Sequence, residues 1–228
     1  MRKVTKFILV PVLVVSALLL AMSAAHAVPV TATITADNHY AVYTGTGTTI
    51  TSSILLQNET GSSGDPGLYN WSLPETVTFD VAQGDYIYVA GWSDDNIAQG
   101  WIGQFVTPDS TILSNKLYWE VYRTGLDRDD GSDPPAPADV SAKILNAVWS
   151  PVLFSIDHGL DPWGTIPGIS AEADWIWGSS MQPGSDYGEY QIFRTQVAPV
   201  PEPATMLLLG TGLVGLAGFG RRKLLKKA

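Results

Sequence analysis

The chain of 228 residues contains no cysteine, so disulfide bonds and a cysteine nucleophile are both excluded. A domain without disulfides must be held together by core packing, with or without the help of a metal ion. Histidine is also scarce, since only His39 and His158 lie outside the first 27 residues, and neither is in a metal-binding motif. The Gly-x-Ser-x-Gly elbow of serine hydrolases is missing, and Asp157-His158-Gly159 has no identifiable serine partner. We therefore expect a protein that is not an enzyme.

One catalytic alternative stays open. Acidic residues are plentiful, and a pair of carboxylates is the machinery of glycoside hydrolysis. Their separation is not readable from the sequence, so a small secreted glycan-active enzyme is the alternative function.

Basic residues are rare in the middle of the chain. Eight of the 13 Lys and Arg residues lie in the two ends, and residues 28–200 carry five basic and 21 acidic side chains, a formal charge of −16. Such a domain repels the phosphates of nucleic acids and anionic lipid. Nucleic-acid binding is therefore excluded, and the expected partners are neutral ligands, cations or basic surfaces.

The N-terminal 27 residues have the three parts of a signal peptide. A basic start at residues 2–6 is followed by an apolar run over residues 7–21 and by Ala25-His26-Ala27. The small residues Ala25 and Ala27 define a cleavage site, and Pro11 within the apolar run argues against a retained anchor. We expect signal peptidase to cleave after Ala27, so that the mature chain begins at Val28.

The C-terminal tail, residues 198–228, contains Pro201-Glu202-Pro203, an uncharged apolar stretch over 204–220, and Arg221-Arg222-Lys223. As a helix, residues 204–220 would span roughly 25 Å, near the lower limit for crossing a bilayer. Arg221, Arg222 and Lys223 would then form a cytoplasmic stop under the positive-inside rule. The tail thus predicts a transmembrane helix over 204–220 in the inner membrane, with the acidic domain in the periplasm. A plain tail anchor is the alternative.

These three features, in this order, resemble the PEP-CTERM sorting signal over about the last 28 residues. The resemblance implies recognition of Pro201, Glu202 and Pro203 by an exosortase, which is a membrane cysteine peptidase-transpeptidase. It also implies a Gram-negative host that makes exopolysaccharide. The expected route is export, a membrane-anchored intermediate, and then the cell surface or the biofilm matrix. Whether the tail is finally cleaved is left open.

The middle, residues 28–197, is expected to be one all-β domain, a β-sandwich or jelly roll, because short strand-like runs alternate with Gly and Pro turns. Residues 76–81 alternate polar and apolar side chains, and residues 85–90 follow after a Gln83-Gly84 turn, which predicts a hairpin. Residues 140–148 are the one helix candidate, and residues 127–139 are expected to form an acidic loop. The other predicted strands are 30–36, 39–43, 48–56, 101–106, 117–122, 152–156, 174–177 and 189–197.

The same region resembles galactose-binding-like jelly rolls. Residues 36–43 (Ala-Asp-Asn-His-Tyr-Ala-Val-Tyr) are similar to the opening strand of those modules. Further similar segments follow in the same order, at 77–89, 100–105, 119–121, 162–164, 175–177 and 190–194. The resemblance implies a β-sandwich and often carbohydrate binding, although many such modules are purely structural.

Eight tryptophans are many for a chain of this size. Sugar sites use aromatic faces against the pyranose ring and Asp, Asn or Gln at its hydroxyls. Trp92 with Asp94, Asp95 and Asn96 is the first predicted ligand site because it follows a strand, in a predicted loop. Trp163 is the second, whereas Trp119, Trp175 and Trp177 are expected in the core. The expected ligand is a neutral polysaccharide, and a structural matrix protein without a ligand is the alternative.

A calcium site is also predicted. Asp127, Asp129 and Asp133, with Gly131 between them, follow the one, three, seven spacing of a calcium loop, but the twelfth position is Ala138 instead of a bidentate acid. A solvated acidic loop is the alternative. Asp37, Asp94 and Asp95 are further candidate ligands for a structural calcium ion.

Overall fold

The computed structural model describes residues 27–37, 39–56, 71–92, 98–128, 132–178 and 189–197. Within these ranges the chain is mostly β, with one short helix, which confirms the all-β class. The elements are β1 (Ala27–Asp37), β2 (His39–Gly45), β3 (Ile50–Leu56), β4 (Glu75–Ala82), β5 (Tyr86–Trp92), β6 (Gly100–Val106), β7 (Thr111–Leu113), β8 (Glu120–Asp127), α1 (Pro137–Ile144), β9 (Ser150–Pro151), β10 (Phe154–Asp157), β11 (Asp174–Trp177) and β12 (Glu189–Gln196).

The strands form two antiparallel sheets. The first sheet has the order β10-β11-β6-β1-β4, with β7 paired to β6. The second sheet has the order β3-β2-β5-β12-β8-β9. β1 and β12, which lie closest to the two ends of the described chain, are therefore both interior strands.

The two sheets share one hydrophobic core, as in a β-sandwich. Trp101 of β6 lies at its centre, with its ring centroid 4.7 Å from that of Trp119 and 5.6 Å from that of Phe193. All three side chains are at most 2% exposed. Because Trp101 belongs to the first sheet and Phe193 to the second, this contact joins the sheets directly.

β1 follows the two-residue period of a strand. Val28, Val30, Ala32 and Ile34 are buried in the shared core. The intervening threonines face the other way and bond across to β4, with Thr31 Oγ1 3.0 Å from Thr78 Oγ1. The predicted cleavage after Ala27 falls at the first residue of β1, so a chain beginning at Val28 keeps almost the whole strand; Ala25 lies outside the described residues.

The predicted hairpin of β4 and β5 is wrong. β4 pairs with β1 in the first sheet, whereas β5 pairs with β2 and β12 in the second. The turn between them has Gly84 at φ +84° and a 2.9 Å hydrogen bond from the Asp85 amide to the Ala82 carbonyl, and it carries the chain from one sheet to the other. Alternation of apolar residues specifies the buried face of a strand but not its pairing partner.

The helix α1 covers the outer face of the second sheet. Pro137 occupies its first turn, where its missing N–H costs nothing. Val140 and Ile144, four residues apart, are buried and pack in a second hydrophobic cluster with Tyr43 and Tyr190. Asp139 in the first turn and Lys143 in the last complement the helix dipole. The helix therefore begins inside the segment predicted to be a loop.

Both ends of the described chain lie at one end of the sandwich, which we call the tail pole. Ala27 pairs with Ala82, and Gln196 pairs with Tyr86 across the same short turn. The Val197 amide donates to the Asp85 carbonyl at 2.9 Å. The other end of β12 is about 20 Å away, at roughly 3.4 Å per residue. We call that end, which holds Tyr190, the far pole.

Alanine substitutions at Gly45 and Gly47 test the geometry of the turn between β2 and β3. A Cβ at Gly45 would overlap the Thr49 carbonyl oxygen and lie 2.8 Å from Ile50 Cα, whereas a Cβ at Gly47 would meet nothing closer than Tyr86 Cε2 at 3.8 Å. Gly45→Ala should lower the free energy of unfolding by about 1–3 kcal/mol through overpacking. Gly47→Ala should be neutral or stabilise by about 0.4–1 kcal/mol. Urea unfolding of both variants checks this; equal effects would contradict the turn geometry.

Candidate ligand-binding cleft

Trp92 does not lie in a loop. β5 continues two residues beyond its predicted end, because Gly91 and Trp92 still pair with Tyr40 and His39 of β2. The Trp92 side chain is 0% exposed, and its ring stacks on His39 with centroids 5.2 Å apart and planes 11° apart. The expectation of an exposed stacking face at Trp92 is therefore corrected. Its predicted companions Asp94, Asp95 and Asn96 lie outside the described residues.

Trp163 also has a structural environment. Its Nε1 donates a 2.6 Å hydrogen bond to Asp37 Oδ2, and its ring stacks on Trp175 with centroids 4.2 Å apart. It is 4% exposed, so the second predicted stacking face is covered as well. The core placement expected for Trp119, Trp175 and Trp177 is confirmed, since none is more than 2% exposed.

The predicted calcium loop is described only in part. Asp127 ends β8 and Asp133 follows the loop, whereas Asp129 lies outside the described residues. The Arg128 guanidinium donates from Nη2 to the Asp133 carbonyl, so a cation already lies against this part of the loop. The described ranges contain no group of three Asp, Glu or His side chains able to hold a metal. Calcium binding stays a prediction.

His158 is used within its own loop. Its Nε2 accepts a 2.7 Å hydrogen bond from the Ile166 amide, and its Nδ1 lies 2.8 Å from the Ser170 carbonyl oxygen. This pattern requires the neutral ring with its proton on Nδ1. Both nitrogens are therefore engaged with the backbone, as expected of a structural histidine.

A carboxylate pair lies at the edge of the first sheet. Asp157 and Asp174 are directly opposite on β10 and β11. Partial burial raises the pKa of Asp174 above its usual value, the neighbouring Asp157 raises it further, and Lys116 opposes the shift. This pair is the feature closest to the glycan-active alternative.

A cleft of about 440 Å³ opens on the outer face of the second sheet, between α1, the end of β8 and the start of β12. It lies at the far pole and falls in the size range of small-molecule sites. Its lining residues are separated in the sequence but brought together by the sheet and the helix. They are Leu126, Asp127, Arg128, Pro135, Asp139, Ala142, Lys143 and Tyr190.

Tyr190 is a buried tyrosine among the residues that line the cleft. The residue is 1% exposed, and its hydroxyl has no hydrogen-bond partner among the described groups. Burial raises the pKa of Tyr190 well above its usual value, as do Tyr43 and Asp139, while Arg128 lowers it. The hydroxyl therefore stays protonated, and no described group accepts its proton. The adjacent Tyr43 differs, because its hydroxyl donates to the Pro135 carbonyl at 2.5 Å.

Two cations lie over the Tyr190 ring. The Arg128 Cζ is 5.6 Å and the Lys143 Nζ 5.7 Å from its centroid, within the range of cation–π contacts. Arg128 also lies 5.2 Å from the centroid of Trp92. Neither cation makes an ion pair with a carboxylate of the described chain. Asp127 and Asp139 line the same cleft, so it offers donors, acceptors and apolar surface together.

Sequence reasoning missed this cleft. The sequence pattern predicts a strand at Tyr190, and nothing in it separates Arg128 and Lys143 from the other three basic residues between 28 and 200. The available signal was the scarcity of basic residues, because two of the five between residues 28 and 200 converge here.

Comparison with known proteins identifies the tail. Residues 199–223 match the PEP-CTERM protein-sorting motif. This range includes Pro201-Glu202-Pro203 and Arg221-Arg222-Lys223. None of the curated proteins and none of the solved structures matches the chain. The described part of the chain has no helix long and apolar enough to span a bilayer, and the predicted span 204–220 lies outside it.

Removal of the hydroxyl of Tyr43 or of Tyr190 should affect the stability of the domain differently. Tyr43→Phe removes a made hydrogen bond and leaves the Pro135 carbonyl unpaired, so the free energy of unfolding should fall by about 1–3 kcal/mol. Tyr190→Phe removes a buried hydroxyl without a partner among the described groups, so stability should stay the same or rise. Thermal unfolding of both variants distinguishes them. A loss at Tyr190 as large as that at Tyr43 would show that the Tyr190 hydroxyl is bonded within the protein.

Proposed function

We propose that this protein is an exported exosortase substrate of the cell surface or exopolysaccharide matrix of a Gram-negative bacterium, and that its β-sandwich binds carbohydrate without catalysing a reaction. The match of residues 199–223 to the sorting motif carries the first part, because it implies export and exosortase processing through a membrane-anchored intermediate. The cleft at the far pole supports the second part.

The chemistry of the cleft suits a sugar. A pyranose needs an apolar surface for its ring face and several hydrogen-bonding groups for its hydroxyls. Leu126 and Pro135 supply apolar surface, while Asp127 and Asp139 supply acceptors. The buried Tyr190 hydroxyl has no hydrogen-bond partner among the described groups, so a bond from it to a ligand would replace no existing hydrogen bond.

The position of the cleft also suits a displayed binding site. β12 runs from Tyr190 at the far pole to Gln196 at the tail pole, where the chain continues toward the sorting motif. The cleft therefore opens at the end of the sandwich opposite the one that holds Val197. A site of this size should bind one short glycan with a Kd between about 1 μM and 1 mM, and many copies on one surface would raise retention by avidity.

The alternative of a glycan-active enzyme is favoured by one observation, the Asp157–Asp174 pair with its raised Asp174 pKa. Turnover of a labelled glycan by the wild-type chain, lost in Asp174→Asn, would support the enzyme over the binding protein.

The tail makes a direct prediction about processing. Replacement of Pro201, Glu202 and Pro203 by alanine should leave the full-length protein in the inner membrane, because the exosortase no longer recognises it. Ala198→Ser, one residue before the matched range 199–223, is the control and should be processed normally. Fractionation and immunoblotting measure both. Normal release of the triple variant would leave only a plain tail anchor.

Carbohydrate binding in the cleft can be tested by substitutions at two alanines of α1. Ala142 lines the cleft, whereas Ala138 is exposed on the same helix and does not line it. Ala142→Phe should fill the cleft and weaken retention on polysaccharides by at least about tenfold, or about 1.4 kcal/mol. Ala138→Phe should bind like the wild type, and both variants should keep the wild-type melting temperature.

Three outcomes of this test contradict carbohydrate binding in the cleft. Full retention by a folded Ala142→Phe variant would place the site elsewhere. Equal losses in both variants would reflect damage to α1. A wild-type protein that is retained on no polysaccharide would favour the structural matrix protein.

A further inference from the structure

The charge at the cleft differs from that of the rest of the domain. Residues 28–200 contain only five basic side chains, compared with 21 acidic ones. Arg194 is bound to Glu120 at 2.7 Å, and Lys116 and Arg123 are exposed outside the cleft. The remaining two, Arg128 and Lys143, both line the cleft. The four charged side chains of the cleft are Arg128, Lys143, Asp127 and Asp139, and their formal charges sum to zero. The domain as a whole has a formal charge of −16.

The donors in the cleft are incompletely used. Arg128 donates one Nη2 bond to the Asp133 carbonyl, and its buried Nε has no partner among the described groups. Lys143 makes a contact with the Tyr190 ring and no ion pair with a described carboxylate. The Tyr190 hydroxyl, also unpaired in the described chain, belongs to the same ring that both cations approach. Three donors thus converge at the cleft, and within the described residues none of them bonds to the carboxylates of Asp127 or Asp139 that line it.

We propose that the cleft binds a sugar acid, with the carboxylate of a uronic acid accepting hydrogen bonds from Arg128, Lys143 and the Tyr190 hydroxyl. This inference rests on the proposed carbohydrate-binding function and names its ligand class. Charge-assisted hydrogen bonds are about twice as strong as neutral ones, so a carboxylate gains more here than a hydroxyl does. Asp127 and Asp139 then accept from the ring hydroxyls.

The acidity of the whole domain does not oppose this binding strongly. Exposed charges are largely screened beyond about 8 Å at physiological ionic strength. A single uronate in the cleft is therefore governed by the nearest charged groups, which are Arg128, Lys143, Asp127 and Asp139 and sum to zero. The expectation of a neutral ligand treated the charge of the domain as evenly spread, and the cleft shows that it is not.

Paired sugars test the inference, because galacturonate differs from galactose, and glucuronate from glucose, only in the carboxylate at C6. The full exported chain, purified in a detergent without a sugar headgroup, is titrated with each of the four by ligand-observed NMR. Each uronate should bind about tenfold more tightly than its neutral partner. Lys143→Gln should reduce uronate binding to the neutral level, whereas Lys116→Gln, the same charge change outside the cleft, should keep the preference.

The outcomes separate this inference from the function on which it rests. Equal binding of uronates and neutral sugars, or a preference that survives in a folded Lys143→Gln variant, overturns the sugar-acid inference and leaves carbohydrate binding in place. Binding of none of the four sugars also overturns it, and retention of the wild type and Ala142→Phe on polysaccharides then decides the proposed function separately.

Discussion

The hydrogen bonding of β12 on both sides is the constraint on which the rest of the structure depends. β12 pairs with β5 along one edge and with β8 along the other, so it cannot leave the second sheet without breaking two ladders. One of its ends places the buried Tyr190 at the cleft. The other continues into Val197, held by the Asp85 carbonyl. One strand thus forms part of the candidate site at the far pole and leads to Val197 at the tail pole.

Aromatic packing takes the place of the missing disulfides. Six of the eight tryptophans are less than 5% exposed, and Trp101 joins the two sheets through Trp119 and Phe193. Truncating such a residue typically costs about 3–5 kcal/mol, a large share of the 5–15 kcal/mol that stabilises a typical domain. The tryptophans that resembled a sugar platform in the sequence are needed by the fold. The candidate binding chemistry lies instead at the cleft, with two cations over the ring of the buried Tyr190.

Sequence reasoning could predict most strands, because alternating and aromatic runs such as 76–81 and 189–197 mark a buried face. It could not predict which sheet β4 and β5 join, since one face suits several partners. β7 and β9 are too short to carry a period, at three and two residues. The cleft was beyond its reach because Arg128, Lys143 and Tyr190 meet only through long-range pairing of β8 with β12 and packing of α1. The tail needs no folding to be recognised, so its ordered motif was readable directly.

The central claim is that a glycan binds at the far pole, between α1 and the second sheet. Hydrogen exchange of the exported chain, with and without the exopolysaccharide of its own host, tests it most directly. Amides within residues 135–144 and at the 126–128 end of β8 should exchange more slowly with the polysaccharide bound, while the 82–86 turn at the tail pole should be unchanged. Protection confined to the tail pole, or no protection on the described residues, would contradict the account.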